Sequence, residues 1–245
     1  MYSFSFVPFI LFAGVLSVAA QPFEEDVYPT GKGDLKITFL GHGTLMFTFD
    51  GITIHVDPVS RYADYSKMDK AELILVTHDH GDHLDKSAIE ALTKATTKAV
   101  MTEKCAEKSG LPGASIMKNG DTQVFHGIKI EAIPAYNLEH MRSEGVPFHA
   151  KGVGNGYILT FGSKRVYVAG DTENTPEMKA LQNIDIAFLP MNLPYTMTPQ
   201  MVADAAKAFK PAILYPYHYG STEPNELLAR LRDSPEIKVL IRRMN

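Results

Sequence analysis

The sequence predicts a mixed α and β domain in which two sheets pack on each other and helices lie outside them. Three observations lead there. Strand-like runs come first, a helix interrupts them, more strands follow, and helix then alternates with strand. That order has the uniform repeat of neither a barrel nor a doubly wound fold, and no internal repeat occurs at solenoid periods. A chain of 245 residues with 45% hydrophobic and 21% charged residues also has material for one sizeable core and no signature of disorder or coiled coil.

The first twenty residues stand apart. From Phe4 to Ala20 no side chain is charged, and Val18 and Ala20 place small residues before a cleavage point after Ala20. This segment, 1–20, is expected to be a signal peptide, which implies a secreted or periplasmic protein. The alternative is an uncleaved membrane anchor, because Met1-Tyr2-Ser3 carries no Lys or Arg and the apolar run approaches the length of a span. Residues 21–34, with acidic Glu24-Glu25-Asp26 and two glycines, are expected to be a polar linker, so the domain is expected to cover 35–245. Cys105 is the only cysteine and cannot staple the fold; it is expected to be half-buried, helical and without a chemical role.

Residues 37–40 and 45–49 are β-rich, and Asp50-Gly51 turns the chain into a returning strand at 52–56. A fully apolar strand follows at 73–76. Apolar spacing predicts a helix at 87–96, then a short strand at 100–101. Hairpins are expected at 123–133, around His126-Gly127, and at 157–169, around Gly162-Ser163. A buried strand at 184–189 precedes a helix at 199–209, capped by Thr198 with Pro199 in its first turn. A strand at 213–215, a helix at 223–231 and a strand at 239–240 end the series.

Chemistry concentrates in Thr77-His78-Asp79-His80-Gly81-Asp82-His83, directly after the apolar strand. A loop leaving a rigid strand end can aim several short side chains at one point, and imidazole with carboxylate is a donor set for zinc and its neighbours. Such a pattern arises by chance on the order of once in a thousand chains of this kind, so a merely His-rich surface turn is the weaker reading. The chain has no Gly-x-Ser-x-Gly nucleophile elbow. Its net charge is −4 and its 24 Lys and Arg are spread along it, so a nucleic-acid partner is not expected.

With its His-x-His-x-Asp-His loop, the distant His149, Asp171 at the end of a strand and His218 after a late strand, the chain resembles the metallo-β-lactamase superfamily. Gly41-His42-Gly43-Thr44 and Val56-Asp57-Pro58 look most like the branch of ascorbate-phosphate lactonase and N-acylphosphatidylethanolamine phospholipase D. The resemblance implies a four-layer αβ/βα sandwich with metals in a groove at one edge of the sheets. It implies that His78, His80 and His149 hold one divalent ion, that Asp82, His83 and His218 hold a second, and that Asp171 bridges them. The cofactor is then a pair of divalent ions, zinc first and manganese or iron as alternatives, supplying an activated hydroxide to an ester, lactone, amide or phosphodiester bond. The substrate is expected to be a small or lipid-like molecule.

Other residues are candidates of a second kind. His140 shares a long loop with His149 and rivals it as third ligand; His149 is favoured because it lies nearer the strand at Tyr157 and precedes the Lys-Gly pair that the family carries. Asp57 is a candidate acceptor for a ligand imidazole, against an ordinary turn residue. Asp79 assists as a base or simply faces water. His42 borders the groove and contacts substrate, or packs. Asn192 and Tyr195 are candidates for orienting substrate, against a proline-stiffened connection. Tyr217 and Tyr219 wall the site or pack around it. His55 and His126 are expected to have no role. Two competing functions remain on the same scaffold. A di-iron redox protein is disfavoured by His rather than Glu at position 80, and a non-catalytic metal-binding module by the full ligand set.

Overall fold

Two seven-stranded sheets face each other at the centre of the computed structural model, which describes residues 22–244. The first sheet holds β1 (Glu24–Pro29), β2 (Asp34–Gly41), β3 (Thr44–Phe49) and β4 (Ile52–Val56), antiparallel to one another, and continues in parallel through β5 (Leu73–Leu75), β6 (Lys98–Met101) and β7 (Ser115–Ile116). Helices α1 (Lys86–Leu92) and α2 (Glu103–Ser109) connect its parallel part. The second sheet repeats the plan. Its antiparallel part is β8 (Thr122–Phe125), β9 (Ile128–Ala135), β12 (Gly154–Phe161) and β13 (Lys164–Val168), and β14 (Ile186–Pro190), β15 (Ile213–Tyr217) and β16 (Lys238–Val239) extend it in parallel. Strands β10 (Met141–Ser143) and β11 (Val146–Pro147) form a separate hairpin, and α3 (Pro176–Lys179), α4 (Pro199–Phe209) and α5 (Asn225–Arg230) complete the helices.

The period-two alternation of strand side chains builds the four layers. In β5, Leu73 and Leu75 join the core between the sheets, whereas Ile74 turns outward to an apolar cluster with Ile89 and Leu92 of α1 and Cys105 of α2. In the second sheet, Val168, Phe188 and Tyr215 lie side by side in register, and Phe188 meets Phe39 and Phe47 of the first sheet at 6.1 Å between ring centroids. One residue earlier, Tyr167 points the other way and packs edge-on against Phe209 of α4. The order is therefore helix, sheet, sheet, helix, which is the αβ/βα sandwich expected.

The strands and turns expected from the sequence recur with small shifts. Asp50 and Gly51 both adopt positive φ, 48° and 74°, the backbone that a two-residue hairpin requires. Thr198 caps α4 by accepting from the Met201 N–H at 3.1 Å. The helix expected at 87–96 stops at Leu92, because Thr93 takes an extended conformation and its hydroxyl donates back to the Ile89 carbonyl at 2.7 Å. The helix expected at 223–231 is shorter, Asn225–Arg230, with Pro224 at its start. Cys105 is helical but fully buried.

The linker expected at 21–34 is corrected by the structure: its middle is β1, an edge strand paired with β2 from Glu24 opposite Phe39 to Pro29 opposite Asp34. Its polar composition reads as loop, but its inward positions find partners that are remote in sequence. Arg242 donates from Nε and Nη2 to the two oxygens of Asp26 at 3.0 and 2.8 Å, and Tyr28 and Tyr215 share a short hydroxyl contact. The signal peptide expected at 1–20 lies outside the described residues, and among these no helix is long and apolar enough to cross a membrane.

Phe188 sits at the junction of the sheets, fully buried. Phe188→Ala is expected to lower unfolding free energy by about 3–5 kcal/mol, seen as a shifted denaturant midpoint with an unchanged slope.

Candidate metal centre

Strand ends deliver the site. Asp57 follows β4, the His78 to His83 loop follows β5, His149 follows β11, Asp171 follows β13 and His218 follows β15. Three residues here pay for their positions with a left-handed backbone: His42, Asp57 and His218 have φ of 54°, 46° and 45°. Such conformations cost about 1–3 kcal/mol each and persist only where the surroundings impose them. Here the His42 N–H donates to the Met244 carbonyl at 3.0 Å, the His218 N–H to the His42 carbonyl at 2.9 Å, and the Asp57 N–H to the Leu75 carbonyl at 2.9 Å. Gly43 keeps the space between the rings open, since a Cβ there would lie 2.7 Å from Cε1 of His83.

Two groups of donor atoms result, each within 4.8 Å of one another: His78, His80, His149 and Asp171, and His42, Asp82, His83 and His218. Asp171 is divided between them. Its Oδ1 is 3.3 Å from His83 Nε2 and 3.4 Å from His218 Nε2, while its Oδ2 is 3.3 Å from His149 Nε2 and 3.8 Å from His78 Nε2. His80 Nδ1 approaches His149 Nε2 at 3.2 Å, and His218 Nε2 is 3.6 Å from Asp82 Oδ2.

The groups behind the rings decide which nitrogens face inward. His83 donates from Nδ1 to Asp57 Oδ2 at 2.8 Å and His149 from Nδ1 to Asn137 Oδ1 at 2.7 Å. Thr77 donates its hydroxyl to Asp57 Oδ2 at 2.6 Å and its N–H to Oδ1 at 2.7 Å, which leaves its oxygen to accept from His78 Nδ1 at 3.0 Å. Each Nδ1 proton is thereby used, which leaves each Nε2 aimed at the centre as the atom that would face a metal ion. Nε2 of His78, His83 and His218 and Oδ1 of Asp171 are buried without a hydrogen-bond partner. Lone pairs crowded this closely in a dry pocket repel unless a cation lies among them. The donor set therefore fits divalent metal ions.

The proton equilibria carry the same strain. Burial acts to raise the Asp171 carboxyl, but the imidazoles of His218 and His83 outweigh it and hold the group well below the usual carboxylate range. Burial acts against a charged His83, yet Asp171 and Asp57 hold that ring well above its ordinary value. Burial, with His83 beside it, pushes His78 well below, and burial followed by His149 lowers His80. At Asp82 burial is overcome by His218 and His42, so the carboxyl stays ionised. His42 itself is lowered, chiefly by burial.

All seven residues expected as ligands meet here. His140 does not join them, because its Nδ1 is bonded to Glu173 at 2.6 Å. His42, expected to touch substrate or pack, donates from Nε2 to Asp82 Oδ2 at 3.1 Å and lies over His218 at 3.7 Å between centroids. Asn192 and Tyr195 line the opening above Asp82, Asp171 and His218. Asp79 pairs with Lys104 and Lys108 at 3.4 and 3.6 Å. Tyr217 and Tyr219 pack around the site: the first accepts from the Gly170 N–H, and the second donates to the Arg242 carbonyl. His55 is buried away from the centre and held down to about 4 by that burial, and His126 is exposed in its turn.

Sequence reasoning missed Asn137 and Glu173. The fully buried Glu173 carboxylate accepts from the N–H groups of Leu138, Glu139 and His140 at 2.6 to 2.7 Å and from Asn137 Nδ2 at 3.0 Å. It thus fixes both the root of the β10–β11 hairpin and the side chain that orients His149. The signal available was Glu173 two residues after Asp171, but no local pattern links it to a loop more than thirty residues away.

The chain is similar to known proteins. The β-lactamase superfamily domain matches residues 36–218. A crystal structure from Parabacteroides distasonis, described as a metal-dependent hydrolase, is 51% identical, with a TM-score of 0.86 over 91% of this chain and 100% of its own. A UPF0173 metal-dependent hydrolase of Methanopyrus kandleri is 31% identical over 201 residues, 78% of this chain and 87% of its own length. Igni18, a metallo hydrolase of Ignicoccus hospitalis, is 26% identical, with a TM-score of 0.70 over 86% of this chain and 96% of its own.

Asp57 serves two rings at once, so Asp57→Asn replaces an acceptor by a donor facing Thr77 or His83. Metal affinity is expected to fall by about 10- to 100-fold in a chelator competition, with the fold retained by circular dichroism.

Proposed function

The chain belongs to the β-lactamase superfamily and is a metal-dependent hydrolase, and on that premise we propose that it works with two metal ions. His78, His80 and His149 would hold one ion, Asp82, His83 and His218 the other, and Asp171 would serve both. The observation that carries this reading is the division of the two Asp171 oxygens between opposed pairs of imidazoles. Five imidazoles with two carboxylates favour zinc, and the same donors accept manganese or iron. When bound, such a pair lowers the pKa of water toward neutrality and offsets charge developing on a carbonyl or phosphoryl oxygen.

The residues around the donors have separate tasks. Asp57 and Asn137 hold the ligand rings in the tautomer that leaves Nε2 open, and His42 keeps Asp82 turned toward His218. Asn192 and Tyr195 orient substrate at the opening. Tyr195 stacks edge-on against Phe148, 5.1 Å between centroids, which narrows that side of the groove against water. The substrate class is a small or lipid-like molecule with an ester, lactone, amide or phosphodiester bond, a lactone or phosphodiester fitting the branch resemblance best. No nucleic-acid partner is proposed. The charge-free run from Phe4 to Ala20 supports export, and a mature chain beginning at Gln21 by intact-mass analysis is the expected result; a full-length chain retained in the membrane would mean an anchor instead.

The purified protein is expected to carry two equivalents of zinc, manganese or iron and to turn over at least one of a set of simple esters, lactones and phosphodiesters. His80→Ala should lose one equivalent and lower kcat/KM by about a hundredfold or more. A chain fully loaded with metal that hydrolyses none of the set, or a metal-free chain that hydrolyses them equally well, would sink the proposal.

A further inference from the structure

The mouth of the metal pocket is charged in the opposite sense to the chain. The protein carries a net charge of −4, yet apart from the ligand carboxylates the two connected openings are lined by three cations, Lys104, Lys108 and Arg142, and one acid, Asp79. Asp79 is shared by both lysines. Among the described residues Arg142 has neither an ion pair nor a hydrogen bond; its guanidinium carbon lies 5.9 Å from the centre of the Phe148 ring. Set over the ring in this way, the guanidinium has all five N–H donors available. Both openings, each of which also reaches His80, His149 and Asp171, have Arg142 in their walls.

The element that carries Arg142 is held in place. It belongs to β10, whose hairpin starts from the loop that Glu173 grips through three backbone N–H groups. The surroundings are apolar. One of the two openings is a cavity of about 680 Å³ with Val146, Pro147 and Phe148 along one wall. Of the ten exposed large apolar side chains among the described residues, five (Leu138, Met141, Val146, Leu193 and Tyr195) lie on the two loops that frame the metal pocket. A cluster of this kind at the rim of a site marks a surface that an apolar ligand covers.

We propose that Arg142 is the anion-binding residue of the substrate site, and that the enzyme selects amphiphilic anions: molecules with an apolar stretch lying on the hairpin wall and a carboxylate or phosphate group seated on the guanidinium. This rests on the hydrolase reading above. Electrostatic attraction at a concave, partly apolar mouth raises the local concentration of anions, and the planar fork supplies paired hydrogen bonds to either oxyanion.

Two matched substrates test it on the metal-loaded enzyme: 4-nitrophenyl hexanoate, which is neutral, and the mono-4-nitrophenyl ester of adipic acid, which has a chain of the same length ending in a carboxylate. The adipate ester is expected to have at least a tenfold higher kcat/KM, with the advantage residing in KM and shrinking as salt rises. Arg142→Ala should reduce that ratio at least tenfold and Arg142→Lys should restore it only in part, while Lys129→Ala, on an exposed face of β9, should leave it unchanged. Inhibition by hexanoate against hexyl phosphate, with hexanol as the uncharged control, assigns the oxyanion. A second measurement keeps this proposal separable from the hydrolase reading: titration of hexanoate and hexyl phosphate into metal-loaded protein, followed by calorimetry. Anion binding weakened tenfold or more in Arg142→Ala supports the subsite even where neither ester turns over. Binding and substrate ratio both insensitive to Arg142→Ala would overturn it.

Discussion

Crowding of imidazole nitrogens around one buried carboxylate is the constraint on which the molecule turns. Asp171 and the rings of His78, His83, His149 and His218 are almost without solvent. In such a place neither the charges nor the lone pairs can be screened by water, so the donors must be held by something stiffer than their own preference. The sandwich provides that stiffness. Its strands end at the site and the apolar rings between its sheets fix how those ends lie, so the donors cannot relax apart without disturbing a core that includes Phe39, Phe47, Phe188 and Tyr215.

Behind the donors a second set of interactions does a different job. Asp57, Thr77 and Asn137 decide where protons are, and Glu173 decides where the long loop of the second half runs. Those residues are buried and fully engaged, which is why each can impose one geometry. The residues that would meet substrate, Arg142, Val146, Asn192 and Tyr195, are by contrast partly or largely exposed and lie on loops. Chemistry and recognition are thus divided between a rigid edge and an adjustable rim.

Much of this could be read in the sequence, and the failures share a cause. The His-rich loop was legible because its residues are adjacent and their spacing is itself the signal; β3 and β4 were legible because alternation and Asp50-Gly51 are local. His149 was separable from His140 only through its neighbours and its nearness to the strand at Tyr157, since both lie in one loop. The β1 strand was hidden because its stabilising partners, Arg242 and Tyr215, come from the far end of the chain, so its own acidic residues read as loop. Asn137 and Glu173 were hidden for the same reason. A hydrogen bond across more than thirty residues leaves no periodicity behind, and a lone Glu near a ligand looks like any other surface acid until the three N–H groups above it are seen.

The two halves of the sandwich, each with four antiparallel and three parallel strands, would both supply donors to each ion, Asp171 of the second half being shared. His78 and His80 come from the first half and His149 from the second; Asp82 and His83 come from the first and His218 from the second. Neither half owns a complete coordination set. On the two-ion reading each ion would act as a clasp across the seam, tying together two bodies joined elsewhere by apolar packing and by a few polar links such as Arg242 to Asp26 and Tyr157 to the Val76 carbonyl, and withdrawal of the ions would slacken the sandwich at that one lip while leaving its opposite margin shut.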